Sequence, residues 1–229
     1  MLFDLLFSPN VSFKDILIVS LLSLPIVLIS LSLHEASHAF LAYKLGDPTA
    51  RNFGRMTLNP TKHFDAFGFI SMMLVGFGWA HPVPINARNF KKPRNGMALS
   101  ALAGPVSNLL LALVFAGIQS IYLNLVAPNI VTVNNYMALY YIELFFLLGV
   151  RMNIALAVFN MIPVPPFDGS RILYVFLPPK YYFKVMKYER YIGIGILLAF
   201  IIASRFNIDL LGFVVNPIMD GIYWLVGLG

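Results

Sequence analysis

The chain has 229 residues, of which 59% are hydrophobic and only 11% are charged, and its mean hydropathy is +0.79. A soluble domain usually has about 25% charged and 45–50% apolar residues, so this composition predicts a protein whose solvent is lipid. The net charge is +6, but the Lys and Arg residues cluster in loops beside apolar segments, which membrane topology explains better than nucleic-acid binding. The chain has no cysteine, which excludes disulfides and thiolate metal sites.

Five apolar segments are predicted to cross the membrane as helices. The first, residues 16–43, carries one charged residue, Glu35, and at 1.5 Å per residue it is long enough for a hydrocarbon core of about 30 Å. The others are residues 96–123, 137–159, 191–204 and 210–228. The sequence therefore predicts an all-α polytopic membrane protein with a single domain over residues 1–229, in which a core of about residues 14–175 is followed by accessory helices at about residues 180–229.

Basic residues lie on both sides of a further apolar segment, residues 64–80. Lys44, Arg51, Arg55 and Lys62 precede it, and Arg88, Lys91, Lys92 and Arg94 follow it. The positive-inside rule places both groups in the cytoplasm, and a segment that starts and ends on one side does not cross. We therefore predict a re-entrant segment, which could be a β-hairpin, buried against protein. The alternative is six spans with one weak loop signal.

Near the end of the first span, the sequence HEASH places His34, Glu35 and His38 together. Residues four apart on a helix share a face, so the two imidazoles can hold a single zinc ion, and Glu35 is placed to accept a proton from a metal-bound water. Ionisable groups at membrane depth cost about 2.5–3.5 kcal/mol on insertion scales. That cost favours a metal site over a helix whose polar groups only bond to neighbouring helices.

A catalytic zinc usually has three protein ligands, and three residues are candidates for the third. His63 and His81 lie beside the re-entrant segment, and Asp168 lies in FNMIPVPPFDGSRIL, where the prolines prevent a continuous helix. Loop charges place Asp168 on the same side of the membrane as the HEASH motif. An Asp before Gly–Ser–Arg is equally typical of a helix N-cap, so the residues alone leave both interpretations of Asp168 open.

Five stretches together resemble the site-2 protease family of intramembrane zinc metalloproteases. They are HEASHA, GRMTLNPTKHFDAFG, GWAHPVPIN, ALAGPVSN and FNMIPVPPFDGSRIL, which extend over residues 31–173. The resemblance is to the small prokaryotic members that lack a PDZ or CBS domain. H-E-x-x-H alone is shared by many zincins, but its combination with N-x-x-P-x-P-P-x-D-G after a later span is highly specific.

The resemblance implies that His34, His38 and Asp168 bind one Zn²⁺ per chain and that Glu35 is the general base. It also implies that Asn160 stabilises the oxyanion or holds the substrate strand. Some family members have a further His shortly after H-E-x-x-H, where this chain reads LGDPTA.

The remaining predicted site residues are structural or bind substrate. Gly104, Ser107 and Asn108 match the G-P-x-S-N pattern of the family, in which small residues let helices approach closely, and Gly169 permits a turn after Asp168. The substrate-binding candidates lie in or beside the re-entrant segment, which we expect to pair with an extended substrate strand by edge addition. They are Asn59, His63, Gly76 and Gly78.

The expected function is therefore that of an intramembrane zinc endopeptidase acting in regulated intramembrane proteolysis. Its partners are transmembrane protein substrates and the lipid bilayer, with no nucleic acid, and its site opens to the cytoplasmic side of a prokaryotic cell membrane. The alternative is a metal-ion transporter or a non-proteolytic membrane zinc-binding protein. A transporter usually has ligands on several spans and repeated halves, whereas the ligand candidates here converge on one site and no repeat is visible.

Overall fold

The computed structural model describes residues 12–63, 65, 81–132, 135–206 and 208–228. These residues form helices and connecting turns, with no β-strand among them. The predicted re-entrant segment, with Gly76 and Gly78, lies outside the described residues except for Asp65.

The described residues contain nine α-helices and three other helical turns. The α-helices are α1 (Phe13–Lys44), α2 (Thr49–Asn52), α3 (Pro93–Ile121), α4 (Ala127–Ile130), α5 (Tyr136–Asn160), α6 (Asp168–Leu173), α7 (Pro179–Met186), α8 (Glu189–Arg205) and α9 (Gly212–Leu225). A π-helical turn, Tyr122–Val126, joins α3 to α4. Short 3₁₀ turns form at Pro60–Lys62 and Ala87–Asn89.

Local signals in the sequence explain where the long helices begin and end. The side chain of Ser12 accepts a hydrogen bond from the N–H of Asp15, and the Asp15 side chain accepts one from the N–H of Ser12, so a capping box starts α1. Pro93 starts α3, where the missing N–H of proline costs no helical hydrogen bond. The prolines after Asn160 end α5.

Three helices of the described residues are long and apolar enough to cross a membrane. They are α1, α3 with its continuation to Ile130, and α5. The prediction of an all-helical membrane protein is therefore confirmed, whereas the predicted five spanning helices are not, because the part of the chain that the structure describes contains three. Helices α8 and α9 have 17 and 14 residues, or about 25 and 21 Å at 1.5 Å per residue, which is less than a hydrocarbon core of about 30 Å.

Helices α8 and α9 are not antiparallel to each other. Together they run in one direction, from the C-terminal end of α5 towards the C-terminal end of α3. Phe200 of α8 packs on Phe159 near the C-terminal end of α5, with 5.3 Å between ring centroids. Arg151, which lies earlier in α5 than Phe159, forms an ion pair of 3.7 Å with Asp209, a residue just before α9. Tyr223 near the end of α9 then donates a hydrogen bond of 3.1 Å to Gln119 at the C-terminal end of α3. The C-terminal end of α9 therefore lies beside that of α3. Five spans that alternate in direction would instead place it at the opposite end of α3.

Helix α3 lies between α1 and α5 and packs against both. Close approach is possible because small residues such as Ala112 and Ala116 are fully buried at these contacts. Gly149 of α5 faces the ring of Phe115, and a Cβ at this glycine would overlap the ring. The buried apolar cluster comprises Ile26, Ala112, Phe115, Ala116, Leu148, Val150, Ile154, Val215 and Ile222.

Candidate metal centre

Three side chains from two distant parts of the sequence meet in a buried cluster. His34 and His38 come from α1 and Asp168 is the first residue of α6. The Nε2 atoms of the two histidines are 2.9 Å apart, and each lies 3.1 Å from Oδ2 of Asp168. A tetrahedral zinc ion with ligands at about 2.0–2.2 Å requires these atoms to be about 3.3–3.6 Å apart. The triangle of ligand atoms therefore needs only a small expansion to hold such an ion.

The outer ring nitrogens of both histidines are hydrogen-bonded, which leaves the Nε2 atoms facing the cluster. His38 Nδ1 lies 2.7 Å from the carbonyl oxygen of Ser100. Because a carbonyl only accepts, Nδ1 donates and Nε2 carries a lone pair when the ring is neutral. His34 Nδ1 lies 2.6 Å from Oδ1 of Asn108 in the equivalent arrangement.

This set of donor atoms fits a metal cation. Two Nε2 lone pairs and a carboxylate oxygen about 3 Å apart repel one another unless positive charge lies between them. A single proton would join one pair of these atoms and leave the third without a partner. A divalent ion satisfies all three atoms at once, and imidazole and carboxylate are common zinc ligands.

Helix α3 crosses directly over the two imidazoles at Gly104. A Cβ at this position would overlap Nε2 of His38 and Cε1 of His34, so the helix can approach the cluster only with glycine there. The hydroxyl of Ser107 donates a hydrogen bond of 2.7 Å to the carbonyl of Gly104 within the same helix. The Ser107 hydroxyl is therefore hydrogen-bonded within α3.

The turn between α5 and α6 brings Asp168 to the histidines. Phe167 is the N-cap residue of α6, and the first turn has no side-chain capping bond, so the carboxylate of Asp168 is not used as a cap. Gly169 packs against the carbonyls of Met161 and Ile162, and a Cβ there would overlap both. The glycine thus lets α6 fold back tightly onto the end of α5.

The charge of Asp168 is stabilised where it lies. Burial alone raises the pKa of the Asp168 carboxyl, but positive charge and hydrogen-bond donors on protonated His38 and His34 outweigh this effect and lower its pKa. A bound cation would supply the same positive charge when both imidazoles are neutral. The carboxylate form is therefore the one present at neutral pH, as metal binding requires.

Glu35 lies beside the cluster and is held by the backbone of a separate segment. Its Oε2 accepts a hydrogen bond of 2.9 Å from the N–H of Val83. Val83 is itself buried, in a small apolar cluster with Ala39 and Ala50. The carboxylate of Glu35, the residue that follows His34, therefore has a defined orientation and is not a member of the group of candidate ligands.

The segment that carries Val83, residues 81–86, is fixed at both ends. Arg55 Nη2 donates a hydrogen bond of 2.6 Å to the carbonyl of His81, and the N–H of Asn86 donates one of 2.7 Å to Oδ2 of Asp47. These contacts connect the loops after α1 to residues 81–86 and hold these residues beside α1.

Asp47 is the fully buried acid in this arrangement. It accepts hydrogen bonds from the N–H and hydroxyl of Thr49, the side-chain amide of Asn89 and the N–H of Asn86. Burial raises the pKa of Asp47, but these hydrogen bonds outweigh it and hold the pKa below its usual range. In this chain, the LGDPTA stretch therefore supplies a buried anchor for the 81–86 segment.

Two other predicted site residues, Asn160 and Asn59, form hydrogen bonds within their own elements. Asn160 ends α5 and donates a hydrogen bond of 3.0 Å to the carbonyl of Leu156. Asn59 caps the 3₁₀ turn Pro60–Lys62 by accepting from the N–H of Thr61 at 3.1 Å. Both are therefore satisfied within their own elements.

The two loop histidines considered as third ligands also lie elsewhere. His63 is buried, and its Nε2 bonds to the carbonyl of Thr57 at 2.8 Å, while its Nδ1 has no hydrogen-bond partner among the residues that the structure describes. His81 pairs with Asp65 at 3.4 Å. Among the described residues, only His34, His38 and Asp168 form a group that could hold a metal ion.

Three residues at the centre were not predicted from the sequence. Val83 and Ser100 contribute through a backbone N–H and a backbone carbonyl, groups that every such residue has, so no side-chain pattern marks them. Asn153 is different, because it is a fully buried amide in the middle of a spanning helix. A polar residue within a membrane-spanning segment indicates a functional position, so the sequence alone could have identified Asn153.

The model of Peptidase family M50 matches residues 23–202, from within α1 to α8. The chain belongs to peptidase family M50. This is the site-2 protease family, so the resemblance seen in the sequence is confirmed, and so is the prediction that the protein is a metalloprotease.

Three relatives illustrate the range of this family. "Putative zinc metalloprotease YwhC" of Bacillus subtilis (strain 168) is 42% identical over 176 residues, or 76% of this chain and 78% of the relative. "Putative zinc metalloprotease Rip2" of Mycolicibacterium smegmatis is 30% identical over 158 residues, or 67% and 56%. "Zinc metalloprotease MJ0392" of Methanocaldococcus jannaschii is 25% identical over 187 residues, or 81% and 43%. No solved structure matches the chain.

Proposed function

We propose that the protein is an intramembrane zinc endopeptidase that hydrolyses peptide bonds in or near transmembrane segments of membrane-protein substrates, as in regulated intramembrane proteolysis. The observation that carries this proposal is the buried triangle of His34, His38 and Asp168 at one end of a spanning helix, with Glu35 beside it. The names of the relatives support zinc as the metal. One triangle of ligands corresponds to one zinc ion per chain.

The metal and Glu35 have separate roles. His34, His38 and Asp168 would hold the zinc ion, which would supply Lewis acidity and make water easier to deprotonate near neutral pH. Glu35 accepts a proton from the attacking water through its carboxylate and later returns it to the nitrogen of the leaving amine. The hydrogen bond from the Val83 N–H to Oε2 keeps the carboxylate turned in one direction during both transfers.

The substrate is proposed to bind as an extended strand beside the 81–86 segment, because a helical backbone has its carbonyls occupied by hydrogen bonds. The segment is fixed at both ends and touches Glu35 in its middle, which supports this location. Gly76, Gly78, His63 and Asn59 are proposed to shape the approach. Asn160 is proposed to exchange its bond with Leu156 for one to the substrate oxyanion.

The site is proposed to open to the cytoplasmic side of a multi-pass protein in a prokaryotic cell membrane. Glu35 precedes Lys44, the last residue of α1, by nine positions, or about 13 Å along a helix. Basic residues concentrate in the loops at this end of α1 and before α3, which the positive-inside rule assigns to the cytoplasm. Water and substrate would then enter from that side.

A cleavage assay with Glu35→Gln tests this function. Purified wild type and the variant are each incubated in detergent with a panel of tagged single-span membrane proteins, and zinc content is measured on the same samples. We expect wild type to cleave some of the panel, and the variant to be slower by at least about 10²-fold, because general base catalysis contributes 10²–10⁴-fold. Both should retain zinc, because Glu35 is not a ligand.

Two outcomes would overturn the proposal. One is cleavage by Glu35→Gln at the wild-type rate. The other is an absence of cleavage across the panel combined with zinc uptake by wild type in proteoliposomes, which would favour the transporter alternative.

A further inference from the structure

A continuous row of buried amides connects the backbone of α5 to a ligand on α1. Asn153 Nδ2 donates a hydrogen bond of 2.8 Å to the carbonyl of Gly149, one turn earlier in α5. Asn108 Nδ2 of α3 donates one of 3.0 Å to Oδ1 of Asn153. Asn108 Oδ1 in turn lies 2.6 Å from Nδ1 of His34. Both asparagines are 0% exposed, so water cannot replace any of these bonds.

The direction of every bond in this row follows from its first member. The Gly149 carbonyl can only accept, so the NH₂ group of Asn153 must face it and Oδ1 must face Asn108. That oxygen also only accepts, so Asn108 turns its own NH₂ group towards it and its Oδ1 towards His34. An amide oxygen beside Nδ1 requires Nδ1 to carry the proton, and the lone pair of neutral His34 is then on Nε2.

We propose that Asn108 and Asn153 are positioning residues of the metal centre, which together set the tautomer and ring orientation of His34 so that Nε2 faces the metal. This inference rests on the proposed zinc site. It gives Asn108 a chemical role beyond the helix packing suggested by the G-P-x-S-N pattern, and it extends the centre to α5. Helices α1, α3 and α5 then all contribute to the orientation of one ligand.

The two histidines are oriented in different ways, which makes the proposal testable. His38 Nδ1 bonds to the backbone carbonyl of Ser100, which no substitution of that side chain removes. His34 Nδ1 depends on an amide side chain, which can be replaced. Loss of a hydrogen-bond partner behind a metal-bound histidine typically weakens metal affinity by about 10–100-fold.

The experiment measures zinc affinity by competition with a chelator for purified wild type, Asn108→Leu, Asn108→Asp and Asn153→Leu. We expect Asn108→Leu to bind zinc about 10–100-fold more weakly. Asn108→Asp keeps an acceptor for Nδ1–H, although its second carboxylate oxygen then faces Oδ1 of Asn153, so it should bind zinc more tightly than Asn108→Leu. Asn153→Leu should weaken binding less than Asn108→Leu, because it frees the Asn108 amide without removing it.

The matched control is Gln119→Leu, which removes another buried amide of α3, one that bonds to Tyr223 and not to the ligands. It should bind zinc as wild type does. Equal affinity of folded Asn108→Leu and wild type would overturn the inference, as would an equal loss in Asn108→Asp and Asn108→Leu. Should Asn108→Leu not fold, wild-type affinity in Asn153→Leu overturns it. If wild type itself binds no zinc, the proposed function fails instead.

Discussion

The interior between α1, α3 and α5 differs between its two ends. At the ligand end, α1, α3 and α5 bury polar side chains, namely His34, His38, Asn108 and Asn153. At the apolar end, the same helices bury Ile26, Ala112, Phe115 and Leu148. Unpaired polar groups are costly in an apolar interior, yet each of these four side chains has a hydrogen-bond partner.

The same three helices therefore have a different role at each end. The apolar end holds the helices together by packing, which is the main source of helix association in lipid. The ligand end uses that scaffold to hold groups whose geometry matters for metal binding. Substitutions at the ligand end should therefore change metal binding, and those at the apolar end should change stability.

The largest expected effect is that of Gly104→Ala at the ligand end. The added Cβ overlaps both imidazoles, so the zinc content should fall from about one per chain to near zero. Gly117→Ala, in the same helix, is the matched control because its Cβ would meet nothing within 4 Å. Metal analysis of both purified variants checks the prediction, and equal zinc in the two would show that α3 does not define the site.

A smaller effect is expected from Val83→Pro, which removes the N–H that holds Glu35. Val83 precedes Pro84, and a residue before a proline is usually extended, which is a conformation that proline can also adopt. A hydrogen bond to a charged group contributes about 1.5–3 kcal/mol, so kcat should fall about 10–100-fold while KM and zinc content stay unchanged.

Val83→Ala is the control for this position, because it loses side-chain packing but keeps the N–H. It should retain a kcat close to that of wild type. Should both variants lose kcat equally, the role of Val83 is packing and the backbone bond does not position Glu35.

The smallest effect on the metal centre is expected from Phe115→Ala at the apolar end. This variant removes a buried ring that packs on Phe145 and Phe146, with centroids 5.9 and 6.4 Å away. Comparable substitutions in soluble cores cost about 3–5 kcal/mol, so the thermal midpoint of unfolding should drop while the folded protein still binds one zinc. Loss of zinc from folded Phe115→Ala would show that the two ends are not independent.

Much of the fold at the ligand end could be predicted from the sequence. Hydrophobic length located α1, α3 and α5 to within a few residues of their ends, because apolar runs and flanking charges directly reflect the bilayer. The spacing of His34 and His38 placed both on one face of α1. The residues alone left Asp168 open between a metal ligand and a helix cap, and the fold brings its carboxylate to the histidines in a group that could hold a metal ion.

The remaining features depend on tertiary contacts that leave no local pattern. The direction of α8 and α9 depends on contacts such as those of Asp209 with Arg151 and Tyr223 with Gln119, between residues far apart in sequence. The backbone groups of Val83 and Ser100 carry no side-chain signal. Asn108 matched a known pattern, but its bond to His34 required the crossing of α3 over α1.

The most direct test of the metal site is the zinc content per chain of purified wild type, His34→Ala, Asp168→Ala, Glu35→Gln and His63→Ala. The structure predicts about one zinc in wild type, Glu35→Gln and His63→Ala, and almost none in His34→Ala and Asp168→Ala, because only the latter two lose a member of a three-ligand site. Full zinc occupancy in Asp168→Ala, or no zinc in wild type when the metal is supplied, would contradict the account.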